Sequence, residues 1–146
     1  AASGIGAATA ELFARKGMHV VLSDIQPEPL AALSKKLQAQ GLKVAHQTCD
    51  VSEPRSVQTL ADFAEQTFGN IHLSFNNAGV AMHGVPMHEM PLNDWRWVND
   101  VNIQSVVHAI HFVLPRMIRH GEPALRLIRL TSKCPCGIGD SIRREI

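Results

Sequence analysis

The chain has 146 residues, 45% of them hydrophobic, and a formal net charge of +1. That length suits one domain with a hydrophobic core, and the near-neutral balance excludes a basic nucleic-acid surface or a polybasic membrane patch. No apolar run reaches the roughly 18 residues of a membrane span, and no basic-then-apolar leader opens the sequence, so a cytoplasmic protein is expected.

The first residues are Ala1-Ala2-Ser3-Gly4-Ile5-Gly6. A glycine pair lets backbone come close to a ligand, and a helix starting beside it aims free N–H groups outward, which suits a phosphate. Such turns normally follow a strand. Here the turn comes first, so the sequence reads as a nucleotide-binding domain cut just inside its own binding loop.

Residues 7–16 form an apolar-periodic helix that Gly17 ends. Residues 19–23 are a short β-prone run, read as a buried parallel strand, with Asp24 at its carboxyl end. Pro27 and Pro29 sit in the first turn of a helix over about 28–40, with Leu30, Leu33 and Leu37 on one face. Residues 43–48 are the next strand, followed by Cys49-Asp50-Val51. Ser52 is the expected N-cap of a helix over 53–68, with Arg55 where a capping-box acid would stand. Residues 71–75 are a strand that runs into Asn76-Asn77-Ala78-Gly79.

A loop over 80–91 carries Met82, Met87 and Met90, which suit either an adaptable apolar wall or packing onto the domain. A long helix over about 94–119 follows, with a kink or break expected at Pro115. Residues 125–130 would be another strand, although Arg126 and Arg129 are awkward in a central one. The tail after Thr131 and Ser132 shows no periodicity.

Helix and strand alternate with short connections, which predicts a doubly wound parallel α/β sheet. The sheet is expected to be incomplete, with its first strand and its C-terminal part missing. The absent strand belongs in the middle of the sheet, so its neighbours are expected to expose unpaired edges. Ligands in such sheets lie across the carboxyl ends of the strands, where Gly6, Asp24, Asp50 and Asn76 all fall. A carboxylate at Asp24 can accept from both ribose hydroxyls and would repel a 2′-phosphate, favouring NAD over NADP. Asp50 can accept from an adenine amino group with Val51 flanking the ring, or serve as a helix cap. Asn76 and Asn77 carry donors and acceptors toward the crevice, and Ala78 and Gly79 leave room for a planar ring. Asn102 is a poor helix-interior residue, which fits either a water-holding role or a solvated face.

The three cysteines, Cys49, Cys134 and Cys136, form no disulfide framework, and Cys134-Pro135-Cys136 has neither redox nor zinc spacing. His83, His88, His108, His111 and His120 make no His-Glu-x-x-His motif, so no metal site is expected. The chain contains no tyrosine.

These motifs together resemble the N-terminal, nucleotide-binding portion of the classical short-chain dehydrogenase/reductase family. Ser3-Gly4-Ile5-Gly6 matches the end of its glycine motif, without the leading Thr-Gly. Asp24 matches its NAD-favouring acid, Asp50-Val51 its adenine-contacting pair, and Asn76-Asn77-Ala78-Gly79 its Asn-Asn-Ala-Gly motif. Trp95 to Asn102 resembles the segment leading to the family's catalytic asparagine, and Leu114-Pro115-Arg116-Met117 a common end of that helix. Ser132 is the counterpart of the catalytic serine, one residue out of gapless register.

The resemblance implies a Rossmann-type fold, with residues 1–122 as a partial dinucleotide-binding domain and 123–146 as a divergent or truncated continuation. It implies hydride transfer between NAD(H) and an alcohol or ketone, a small-molecule substrate, no nucleic-acid or membrane partner, and a homo-oligomer in the full-length parent. The family's Tyr-x-x-x-Lys has no counterpart, and Lys133 beside Ser132 has the wrong spacing. This chain alone is therefore expected to be inactive. The rival expectation is a truncated member with at most weak nucleotide or partner binding.

Overall fold

The computed structural model describes residues 1–82 and 84–122, and the backbone of 126–129. Helix α1 spans Gly4–Arg15 and so begins inside the glycine turn rather than after it. Gly4 makes this start with a φ of 56°, which disfavours any side chain. Gly17 closes the helix at a φ of 89°, its N–H on the Ala14 carbonyl at 3.0 Å. Strand β1 is Val20–Asp24, one residue later than the apolar run suggests, so Asp24 is the last strand residue. Helix α2 is Pro27–Gln38, with proline at its start, where no N–H is needed. Strand β2 is Val44–Thr48.

Helix α3 spans Pro54–Phe68, and Ser52 does not cap it. The Ser52 N–H and hydroxyl both bond Asp50 Oδ1, at 2.9 and 2.6 Å. Pro54 fixes the first helical φ and holds Glu53 extended, so the turn before it closes on Asp50 instead. Strand β3 is Leu73–Asn76. The methionine loop contains one 3₁₀ turn, Met87–Glu89, on which Met87 is exposed.

The expected long helix is four pieces. These are α4 (Leu92–Asn99), a π-helical segment (Asp100–Gln104), α5 (Ser105–Phe112) and α6 (Leu114–His120). The break before Pro115 has the expected cause, a proline that cannot continue the ladder. The π segment is a second interruption, and the helix starts at Leu92, directly after Pro91, two residues ahead of the expected 94. Strand β4 is Arg126–Arg129. His83, Ser132, Lys133, Cys134 and Cys136 lie outside the described residues.

The strands form two parallel pairs. Val20 to Asp24 of β1 align with Val44 to Thr48 of β2, and Leu73 to Asn76 of β3 with Arg126 to Arg129 of β4. Between the pairs lies a cavity of about 920 Å³, lined by Val20, Val21 and Ser23 of β1 and by Leu73, Ser74 and Phe75 of β3. No strand among the described residues fills it. The fold is thus an incomplete doubly wound parallel sheet with helices against it.

Two apolar clusters hold the helices. One joins Ala10 and Ala14 of α1 and Leu30 and Leu37 of α2 to Leu22 and Val44 of the β1–β2 pair. The other joins Ala61 of α3 to Val113 and to Met117 of α6. Arg116 reinforces it by reaching from α6 to Asp62 and Glu65 of α3, and Arg119 pairs with Glu65 at 2.7 Å.

Leu22 is fully buried at the centre of the first cluster. Leu22→Ala is expected to lower stability by about 2–5 kcal/mol in urea denaturation. The facing edges of β1 and β3 also predict concentration-dependent association. Sedimentation velocity should detect it, and a sharp, cooperative melt of a monomer at every concentration would contradict it.

Candidate functional site

The carboxyl ends of β1, β2 and β3 and the start of α1 meet at one end of the cavity. Ser3, Gly6, Asp24, Asp50, Val51 and the segment Asn76-Asn77-Ala78-Gly79 all line it. Gly4 and Ile5 do not, and the Ile5 side chain is half exposed. The first amides of α1 precede the first ladder bond, from the Ala7 N–H to the Ser3 carbonyl at 3.1 Å. They leave a positive helix end, of which Ser3 and Gly6 line the crevice.

Gly6 is where backbone and side chains come closest. A Cβ there would meet Asn77 Nδ2 at 2.9 Å and Ala1 Cα at 3.2 Å. Gly79 is also tight, since a Cβ would lie 3.3 Å from Asn102 Oδ1. Asn76 Nδ2 is buried and has no partner among the described residues. A buried amide donor of this kind needs an acceptor.

Asp24 is already organised. Its Oδ2 accepts from the Ala1 ammonium at 2.7 Å and the Ala2 N–H at 2.8 Å, while Oδ1 takes only the Gln26 N–H at 3.1 Å. Burial by itself would raise the Asp24 carboxyl. The hydrogen bonds from the Ala1 ammonium and the Ala2 and Gln26 amides outweigh it and hold the group below the usual carboxylate range. Asp50 is more committed, because Oδ1 binds Ser52 twice and its own N–H bonds Ser56 Oγ at 3.1 Å.

Asn102 sits in the π segment, where the loosened ladder accommodates an asparagine. Its Oδ1 accepts from the Val80 N–H and its Nδ2 donates to the Val80 carbonyl, both at 2.8 Å. The side chain therefore clamps the backbone directly after Gly79. His108, weighed in the sequence only as a metal ligand, has another place: its Nδ1 contacts the Val51 carbonyl at 3.0 Å and ties α5 to the Asp50 turn. A carbonyl only accepts, so Nδ1 carries the proton. No local spacing announces a bond between positions so far apart. Cys49 is buried beneath the same turn, and burial pushes its thiol up.

Residues 1–133 match the family model described as short chain dehydrogenase. The chain is 37% identical over 125 residues to cyclohexanol dehydrogenase of an Acinetobacter species, covering 86% of this chain and 50% of that protein. It is 38% identical over 125 residues to 1-deoxy-11-beta-hydroxypentalenate dehydrogenase of Streptomyces avermitilis, covering 85% and 46%. The chain thus spans about half the length of the curated relatives it matches. A short chain dehydrogenase/reductase from Burkholderia phymatum in complex with NAD superposes with a TM-score of 0.84 at 41% identity, over 88% of this chain and 45% of that one. A gluconate 5-dehydrogenase from Burkholderia cenocepacia, in complex with NADP and tartrate, superposes with a TM-score of 0.79 at 28% identity, over 88% and 49%.

Asn102→Ala should cost about 1–3 kcal/mol in urea denaturation, because it leaves both Val80 groups without their side-chain partner. The Asp24 contacts predict a pH effect of defined sign. A carboxyl with a lowered folded pKa adds stability above its unfolded pKa, and loses it as pH falls through the folded value. The acid limb of stability against pH should therefore be shallower in Asp24→Asn than in the parent chain.

Proposed function

The chain belongs to the short-chain dehydrogenase family, and from that membership we propose that it serves hydride transfer between NAD(H) and an alcohol or ketone. The observation that carries the reading is Asp24. Its carboxylate stands at the end of β1, lines the same crevice as Gly6 and Asn76, and keeps acceptor capacity on Oδ1.

The residues present fit a dinucleotide. The open amides of α1 would take the pyrophosphate, with Gly6 letting the helix start lie against Asn77, where a side chain would clash. Asp24 Oδ1 would accept from the adenosine ribose, and Val51 would flank the adenine. The unpartnered Asn76 Nδ2 offers a donor toward the nicotinamide side, where Ala78 and Gly79 keep the wall low. When bound, the cofactor supplies a nicotinamide ring that gives or takes a hydride. The chain's own residues supply position. Asn102 fixes the loop after Gly79 through Val80, and His108 fixes the turn after Asp50 through Val51. Ser132, the carried-over counterpart of the catalytic serine, would orient the substrate oxygen.

The NAD preference rests on charge. Asp24 would face the 2′-phosphate of NADP with like sign, which disfavours the phosphorylated cofactor. Solved relatives of this fold carry NAD or NADP, so the fold leaves the choice open, and the Asp24 carboxylate supports NAD.

A second reading, binding without turnover, is favoured by the lack of any tyrosine in the chain. Without a positioned acid–base group the chemical step loses roughly 10²–10⁴ in rate. Binding and turnover therefore need separate measurements. Calorimetry should show NAD⁺ binding at least about tenfold tighter than NADP⁺, with the gap closing in Asp24→Asn. No binding of either nucleotide would overturn the proposal. NAD-linked alcohol oxidation at the rate of a complete relative would overturn the second reading alone.

A further inference from the structure

Three side chains of ligand type gather at the amino end of β3, away from the crevice. His72 precedes β3, and His120 and Glu122 flank Gly121 at the end of α6. One ligand atom from each lies within 4.8 Å of the other two. Glu122 Oε2 is 2.5 Å from His72 Nε2, and the two imidazole rings are 5.0 Å apart at their centroids.

The surroundings orient each ligand atom. His120 Nε2 lies 2.9 Å from the Ile71 carbonyl, which can only accept. Nε2 therefore carries the proton and Nδ1 keeps its lone pair. A backbone carbonyl on the far nitrogen is the usual support of a metal-bound imidazole. Asn70 Nδ2 donates to Glu122 Oε1 at 2.6 Å and leaves Oε2 turned toward His72.

We propose that His72 Nε2, His120 Nδ1 and Glu122 Oε2 bind a zinc ion, with water as the fourth ligand. Two imidazoles and one carboxylate match the donor preferences of zinc and leave one position open. The ion replaces the hydrogen bond between His72 and Glu122, and the neutral His72 ring carries its one proton on Nδ1, which leaves the Nε2 lone pair for the ion. His120 Nδ1 gives up the Glu122 N–H, which it now accepts at 3.1 Å. Zinc–ligand bonds of about 2.0–2.2 Å require the three atoms to draw together. His72 and Glu122 are partly exposed, and Gly121 is left-handed at a φ of 65°, so the closure falls on side chains at the surface and not on the core. The bound ion would fasten the end of α6 to the start of β3.

The site is independent of the nucleotide reading, and its test needs no cofactor. Isothermal titration of the whole chain with zinc chloride, in a buffer that does not chelate, should show one ion bound more tightly than any other. Affinity should fall by about tenfold or more in His72→Ala and in Glu122→Gln, and stay unchanged in the control His111→Ala. Imidazole NMR signals of His72 and His120 should move together at one equivalent of zinc in the unmutated chain, a readout that no folding defect can mimic. Equal zinc affinity in parent, His72→Ala and Glu122→Gln, or zinc that moves only other histidines, would overturn the proposal.

Discussion

Phe13 of α1 meets Phe75 of β3 edge to face, with ring centroids 6.4 Å apart, across the cavity that separates the strand pairs. That contact stands for the constraint on which the architecture depends. β1 and β3 share no backbone hydrogen bond, so side chains must hold the two halves of the sheet in one frame. His19 lies against Phe68 with ring centroids 5.0 Å apart, and His108 reaches the Val51 carbonyl from α5. Each tie is worth far less than a strand ladder, because an aromatic pair adds only about 0.5–1.5 kcal/mol beyond its area. The crevice residues inherit this weakness. Asp24 is fixed from the β1 side and Asn76 from the β3 side, and their separation is set by whatever spans the gap.

Much of this was legible because the strands are short and end on polar residues. Val20, Val21 and Leu22 read as a strand that ends on an acid, although only Leu22 is buried, because Val20 and Val21 line the cavity where no described strand covers them. The same logic places Asp50 and Asn76, and all three residues, Asp24 included, line one cavity. The cap at Ser52 could not be read in this way, because Pro54 decides where α3 starts and leaves Ser52 in a turn of its own. The interruption over Asp100–Gln104 carries no glycine or proline, so composition gave no warning. Asn102 was the one clue, and its physical reason is a tertiary bond to Val80 that spacing cannot show.

The histidine cluster was hidden for a different reason. His120 and Glu122 are close in sequence, but their partner His72 lies on another element, and only the return of α6 to the foot of β3 joins them. A scan for metal motifs looks for ligands on one helix or in one loop. A parallel crossover instead brings together residues at the same end of neighbouring elements, whatever their distance along the chain.

The two ends of β3 therefore carry different chemistries for one topological reason. At the carboxyl end, successive loops converge on a crevice, and Asn76 and Asn77 offer neutral donors and acceptors there. At the amino end, helices return to the sheet and deliver their last side chains, here a basic pair and an acid. Asp24 and Asp50 bring carboxylates to the crevice, and both are held by hydrogen-bond donors of the chain before any ligand arrives. A carboxylate fixed in this way loses little freedom when a ribose binds, so its selectivity does not depend on ordering a loop. What it does depend on is the spacing between β1 and β3, which is set by the side chains that bridge the cavity together with α3, packed on β2 and on α5, and α5, packed on β3.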